Sequence, residues 1–103
     1  MSYDIDLKDK DGNVVADFNI KYSSSGMFCC VFPEDGIRTI YGEPSEKALE
    51  HLLEIHYMLI TCREQMKQYE PENGWGTWEN TVKVINKMCM VAAENPDCVW
   101  SGD

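Results

Sequence analysis

The chain has 103 residues, of which 44% are hydrophobic and 26% are charged, and 18 acidic side chains against 9 basic ones give a net charge of −9. This size and composition are typical of one soluble globular domain, residues 1–103, and no apolar run is long enough to span a membrane. The acidic balance argues against direct binding to nucleic acid or to an anionic membrane, because both require a basic surface. The first residues lack the basic and apolar regions of a secretory signal, and five cysteines without metal-ligand spacing fit a reduced cytosolic compartment, so we expect a cytoplasmic protein.

The first part of the chain predicts a β-hairpin. Residues 3–8 alternate between apolar and polar side chains, which is typical of a strand with one buried face. Gly12, in the turn 9–13, supplies the positive φ that a tight hairpin turn requires. The alternation resumes over residues 14–22 and leaves one face of the hairpin solvated.

The next two segments have weaker patterns. Residues 27–32 are six apolar residues in a row, which fit either a third strand or a short buried helix, and their composition slightly favours the strand. Residues 37–41 are predicted to be a short extended segment. Near the end of the chain, residues 98–100 form either a last strand or a tail over the core.

Two helices are predicted in the second half. Ser45 is the expected N-cap of a long helix over residues 45–69, whose apolar side chains recur every three or four residues until Pro71 ends the pattern. A loop through Gly76 leads to Thr77, the expected cap of a second helix that begins at Trp78, has apolar positions up to Ala92 and is stopped by Asn95-Pro96. Because the loop is short, the two helices are expected to pack antiparallel. The sequence therefore predicts an α+β fold in which an N-terminal β-hairpin, with a third strand left open, packs on an antiparallel two-helix hairpin.

No residue pattern points to catalysis, a cofactor or a metal. The five cysteines lack metal-ligand spacing and are expected to be reduced, small core residues. His51 and His56 are five positions apart, which places them on different sides of a helix; His56 is expected at the core edge and His51 on the surface. Glu50 and Glu54 fall on the face expected to be solvated. We therefore expect a protein that is not an enzyme and that binds no metal or cofactor.

Arg38, Asn73 and Trp75 are the candidate binding residues. Gly74 and Gly76 bracket Trp75, whose ring either closes one end of the helical hairpin or lies partly exposed beside Asn73 and stacks on a ligand or fills a partner's pocket. Arg38 forms either a structural salt bridge or a contact with a carboxylate, a phosphate or a partner. Trp78 is expected in the core.

The order of several short motifs resembles a family of small phage and prophage proteins. The segments that carry the resemblance are Tyr3-Asp4-Ile5-Asp6-Leu7, Ile20-Lys21-Tyr22-Ser23, Met27-Phe28, Gly36-Ile37-Arg38, Gly42, Tyr69-Glu70-Pro71-Glu72-Asn73-Gly74-Trp75-Gly76 and Asn95-Pro96-Asp97-Cys98-Val99-Trp100. The resemblance implies a short helix around Met27, and a phage or mobile-element gene expressed in a bacterial cytoplasm. It brings no assigned activity, and its members look like accessory proteins and not like virion components.

These observations favour a small non-enzymatic accessory protein of phage type that binds a host protein, such as a component of a defence system or a nucleic-acid-binding protein. The alternative is a small-ligand protein in which Trp75 stacks on a nucleotide-like base while Arg38 and Asn73 supply polar contacts. A homodimer is left open, because the apolar face of the hairpin needs a covering surface.

Overall fold

The computed structural model describes residues 2–72, 74 and 76–103. Their fold is α+β, as predicted. The elements in chain order are β1 (Ser2–Lys8), β2 (Val14–Lys21), a 3₁₀ helix (Tyr22–Ser24), α1 (Ser25–Val31), a second 3₁₀ helix (Gly36–Ile40), α2 (Ser45–Thr61), α3 (Arg63–Lys67), α4 (Trp78–Glu94) and β3 (Val99–Gly102).

The described strands form an antiparallel sheet in the order β2-β1-β3. The predicted hairpin of β1 and β2 is confirmed. In its turn, Gly12 has a φ of 83°, and the Asp9 carboxylate accepts the backbone N–H groups of Asp11 and Asn13, both at 2.9 Å. Hydrogen bonding, first of all to Asn13, lowers the pKa of Asp9. These bonds fix the turn and with it the register of the two strands.

The third strand comes from the end of the chain and not from residues 27–32. β3 pairs with β1 so that Trp100 lies opposite Leu7, whereas residues 27–31 belong to α1. The preference for a strand was therefore wrong, and the short helix implied by the resemblance is confirmed. The reason is the burial of two neighbouring side chains, Met27 and Phe28, which a strand would direct to opposite faces of the sheet.

The expected extended segment at residues 37–41 is wrong, because residues Gly36–Ile40 form a 3₁₀ helix. Ile37 and Ile40 are both fully buried. Three residues make one turn of a 3₁₀ helix, so this geometry directs both side chains into the core.

The prediction of one uninterrupted helix over residues 45–69 is also wrong. α2 ends at Thr61, and Cys62, with φ −110° and ψ 35°, separates it from α3. Ser45 is the first helical residue after Pro44 and not the N-cap. Its hydroxyl donates to the carbonyl oxygen of Ala92 in α4 at 3.2 Å, so it ties the two helices together.

The second predicted helix is confirmed as α4, with Thr77 as its cap, since the Thr77 hydroxyl oxygen accepts the backbone N–H of Asn80 at 3.2 Å. α2 and α4 contact each other, and the antiparallel packing of a two-helix hairpin stays a prediction.

Among the described residues, no helix is long and apolar enough to cross a membrane. The largest fully buried side chains include Ile5, Leu7, Phe28, Leu52, Ile55, Ile85 and Trp100.

Candidate functional site

Arg38 is held by contacts within the chain. Its Nε donates to Oδ2 of Asp103 at 2.8 Å, and the hydroxyl of Tyr41 donates to the other carboxylate oxygen at 2.9 Å. The guanidinium lies 4.8 Å from the ring centroid of Tyr3 and 5.8 Å from that of Tyr22. The hydrogen bond to Asp103 raises the pKa of Arg38, and burial, followed by the hydrogen bond to Asp103, raises the pKa of Tyr41.

Of the two roles open to Arg38, the structure gives a salt bridge that attaches the end of β3 to the second 3₁₀ helix. The side chains of Arg38 and Asp103 are 43% and 38% exposed, so solvent screens the pair. A role for Arg38 in binding a ligand stays a prediction.

Asn73 and Trp75, the other two candidate residues, lie outside the described residues. Gly76, which follows them, has a φ of 74°. A Cβ at this position would collide with the hydroxyl of Ser23 and come within 2.9 Å of the hydroxyl of Ser24. A side chain is therefore strained here by both the positive φ and this contact, and Gly76 lies against the first 3₁₀ helix.

The outer edge of β3 is covered by the segment 42–45. Gly42 donates its backbone N–H to the carbonyl of Trp100 at 2.8 Å, and Trp100 donates back to the carbonyl of Glu43 at 3.1 Å. Ser45 donates to the carbonyl of Cys98 at 2.7 Å. This side of the sheet is closed by backbone hydrogen bonds.

The outer edge of β2 has no strand beside it among the described residues. Two adjoining clefts of about 200 and about 400 Å³ are lined by residues of β2 and of α4, and Asn19, Asn80 and Val84 line both. We call the two clefts together the β2–α4 groove. At one end a hydrogen bond of 3.0 Å joins the buried hydroxyls of Ser24 and Thr81. At the other end the lining includes Asp17, Lys83 and Lys87.

The solvated face of the hairpin is acidic. Asp6 on β1 lies directly opposite Asp17 on β2, and Asp4 lies opposite Asn19. The Asn19 amide donates to the Asp4 carboxylate at 2.7 Å, whereas Asp6 and Asp17 place like charges across the strand pair. Together with Asn19 and Phe18, the three carboxylates line a depression of about 350 Å³. We call Asp4, Asp6 and Asp17 the acidic face.

Among the described residues, no three or more histidine, cysteine, aspartate or glutamate side chains form a group that could hold a metal ion. His51 is half-buried and its ring lies 5.2 Å from that of Phe32, so its expected surface position is wrong. All five cysteines are free, and Cys29 is exposed instead of buried. Burial raises the pKa of the Cys89 thiol to about 11, which leaves it protonated and unreactive at neutral pH.

Trp78 is half-buried and packs against the core. Its indole N–H donates to the carbonyl of Leu59 at 2.8 Å, and the guanidinium of Arg63 lies 4.8 Å from its ring centroid. Glu50 and Glu54 are exposed, as expected. These contacts fasten the start of α4 to the end of α2 and offer no chemical site.

Two features were missed by reasoning from the sequence. The alternation in β1 and β2 contained the signal for the acidic face, because Asp4, Asp6 and Asp17 all fall on polar positions. The β2–α4 groove had no such signal, since it depends on where α4 lies relative to β2. No protein-family model matches the chain, and no curated protein or solved structure matches it significantly.

Proposed function

We propose that this chain is a small non-enzymatic accessory protein of phage type that binds a protein of the bacterial host and inhibits it. A component of a defence system is the target that suits such a protein best. The single observation that carries the proposal is the acidic face, in which Asp6 and Asp17 lie opposite each other.

Like charges directly opposite each other in a strand pair cost roughly 0.2–1 kcal/mol. A basic partner surface would turn this internal repulsion into attraction on binding. The net charge of −9 acts in the same direction at longer range, because it speeds the approach of a positively charged partner. Host proteins that bind nucleic acid present such basic surfaces.

The test compares two variants with equal changes in charge. Asp4→Asn/Asp6→Asn neutralises two carboxylates of the acidic face, and Glu50→Gln/Glu54→Gln neutralises two exposed carboxylates on α2. We expect a host protein captured from bacterial lysate to bind the wild type and the α2 variant and to be lost with the acidic-face variant. Its binding to the wild type should weaken steeply with added salt.

The inhibitory role has its own measurement. In a host whose defence system blocks a phage, expression of the wild-type chain should restore plaque formation, and expression of the acidic-face variant should not. No reproducible host partner, or equal capture by both variants, would contradict the proposal.

A further inference from the structure

The open edge of β2 is unusual for a strand of this length. Natural edge strands are protected by proline, lysine, bulges or a covering segment, because their free N–H and C=O groups pair readily with another chain. β2 has eight residues, no proline and a single lysine, Lys21, at its end. The pairing of β2 with β1 has one irregularity, between Leu7 and Lys8 of β1. It lies near the hairpin turn and so does not protect residues 17–21.

The β2–α4 groove has the length of a short strand. Residues 17–21 of β2 line it, and at roughly 3.3 Å per residue the stretch 17–20 can pair with about four residues of an added strand. On the opposite wall, α4 lines the groove from Asn80 to Lys87, which covers roughly 10 Å at 1.5 Å per residue. Half-buried Phe18 and Val84 supply apolar surface to the groove.

The charges on the two walls differ. Lys83 and Lys87 are exposed, lie one turn apart on α4, and have no ion-pair partner among the described residues. Asp17 lines the same end from the sheet side. In a protein with a net charge of −9, this pair of lysines forms a local basic wall.

We propose that the β2–α4 groove binds an extended peptide segment of another protein, which adds to the sheet as a strand beside β2. Main-chain hydrogen bonds to the β2 edge supply affinity, and alternate side chains of the peptide supply specificity. Side chains that point toward α4 are apolar or acidic, because they meet Val84, Lys83 and Lys87. The intervening side chains lie beside Asp17 and Asn19 and are polar or basic.

This inference goes beyond the proposed function. The acidic face attracts a basic surface, whereas the basic wall of the groove selects acidic side chains. Asp4 and Asp6 do not line the groove, so the acidic-face variant tests one surface and substitutions of Lys83 and Lys87 test the other. Either proposal can fail while the other holds.

The experiment selects binders from a yeast-displayed library of random decapeptides on the full wild-type chain. We expect the selected peptides to share an alternating pattern with apolar and acidic residues at every second position. A synthetic copy of a selected peptide should bind the Lys83→Glu/Lys87→Glu variant at least about tenfold more weakly than the wild type. The matched control, Lys10→Glu/Lys67→Glu, changes the net charge equally at exposed positions outside the groove and should leave the affinity unchanged.

A second measurement uses only the wild-type chain and so does not depend on the folding of a variant. Methylation of single backbone amide nitrogens of the selected peptide should abolish binding at alternate positions and be tolerated at the positions between them, because an added strand donates every second N–H to its neighbour. Bound peptide should also slow hydrogen exchange of the amides in residues 17–20.

Three results would overturn the proposal. One is a library that gives no binders, and another is binders whose affinity is insensitive to Lys83→Glu/Lys87→Glu or to amide methylation. The third is a wild-type chain that is dimeric in light scattering and becomes monomeric in Lys83→Glu/Lys87→Glu, which would assign the groove to a second copy of the chain.

Discussion

The two outer edges of the sheet differ in how they are covered. The edge of β3 is closed by backbone hydrogen bonds to segment 42–45 and by the ion pair of Arg38 with Asp103. The edge of β2 faces a groove, and among the described residues no strand lies beside it. One chain thus contains both a protected edge and an unprotected one.

Segment 42–45 covers the outer edge of β3. Among the described residues, no strand covers the outer edge of β2 in the same way. On the closed side, Trp100 is fully buried. On the open side, Val14 and Val15 are 51% and 45% exposed. Truncation at Trp100 should therefore cost the fold more than truncation at Val14 or Val15.

Truncation on the two edges should give the largest contrast. Trp100→Ala removes a fully buried ring and should lower the free energy of unfolding by about 3–5 kcal/mol. Val15→Ala, on the open side, should change it by about 0.5 kcal/mol or less. Urea denaturation of both variants measures the difference, and a similar loss from the two would show that the β2 edge is as well packed as the β3 edge.

The contact of Gly76 with the first 3₁₀ helix, at the Ser24–Thr81 end of the β2–α4 groove, can be tested with Gly74 and Gly76. Gly74 and Gly76 have φ values of 78° and 74°, so alanine at either position is strained by roughly 1–2 kcal/mol. Gly76→Ala should cost about 2 kcal/mol more than Gly74→Ala, because its Cβ also collides with Ser23 and Ser24 while the surroundings of Gly74 are empty. Thermal unfolding of the two variants compares them; equal losses would mean that the contact with the 3₁₀ helix can relax freely.

The ion pair at the closed edge is exposed and its effect should be smaller. Asp103→Asn and Arg38→Ala should each produce faster amide hydrogen exchange in β3, with a smaller shift of the unfolding temperature than Gly76→Ala. Their effects should not add, because both variants break the same contact. Exchange in β2 should stay unchanged, and faster exchange there would show that the two edges are coupled.

The sequence predicted the open side of the sheet better than the closed side. Alternation and the turn at Gly12 predicted the solvated face that carries Asp4, Asp6 and Asp17, although these three residues were not singled out as a site. The covering of β3 depends on partners far apart in sequence, such as Arg38 and Asp103, and no local pattern connects them.

The two wrong helical predictions have different causes. The apolar spacing continues from Leu59 to Met66, both of which are buried, so nothing in the pattern marks the break at Cys62. Residues 37–41 are too short for periodicity to separate a 3₁₀ turn from an extended segment. The β2–α4 groove required the relative position of two elements that are distant in the chain.

The smallest predicted effect tests whether the acidic face is costly to the fold. Asp6 has Asp17 opposite it on the open side of β1 and Ser101 opposite it on the closed side, so Asp6→Asn should raise the free energy of unfolding by about 0.5 kcal/mol. Asp4→Asn is the control, because Asp4 already lies opposite the neutral Asn19 and its substitution relieves no such pair. Denaturation at low salt should separate the two variants and high salt should bring them together, since screening removes the repulsion. A destabilised Asp6→Asn would mean that the carboxylate contributes to the fold, and the acidic face would then need no partner to explain it.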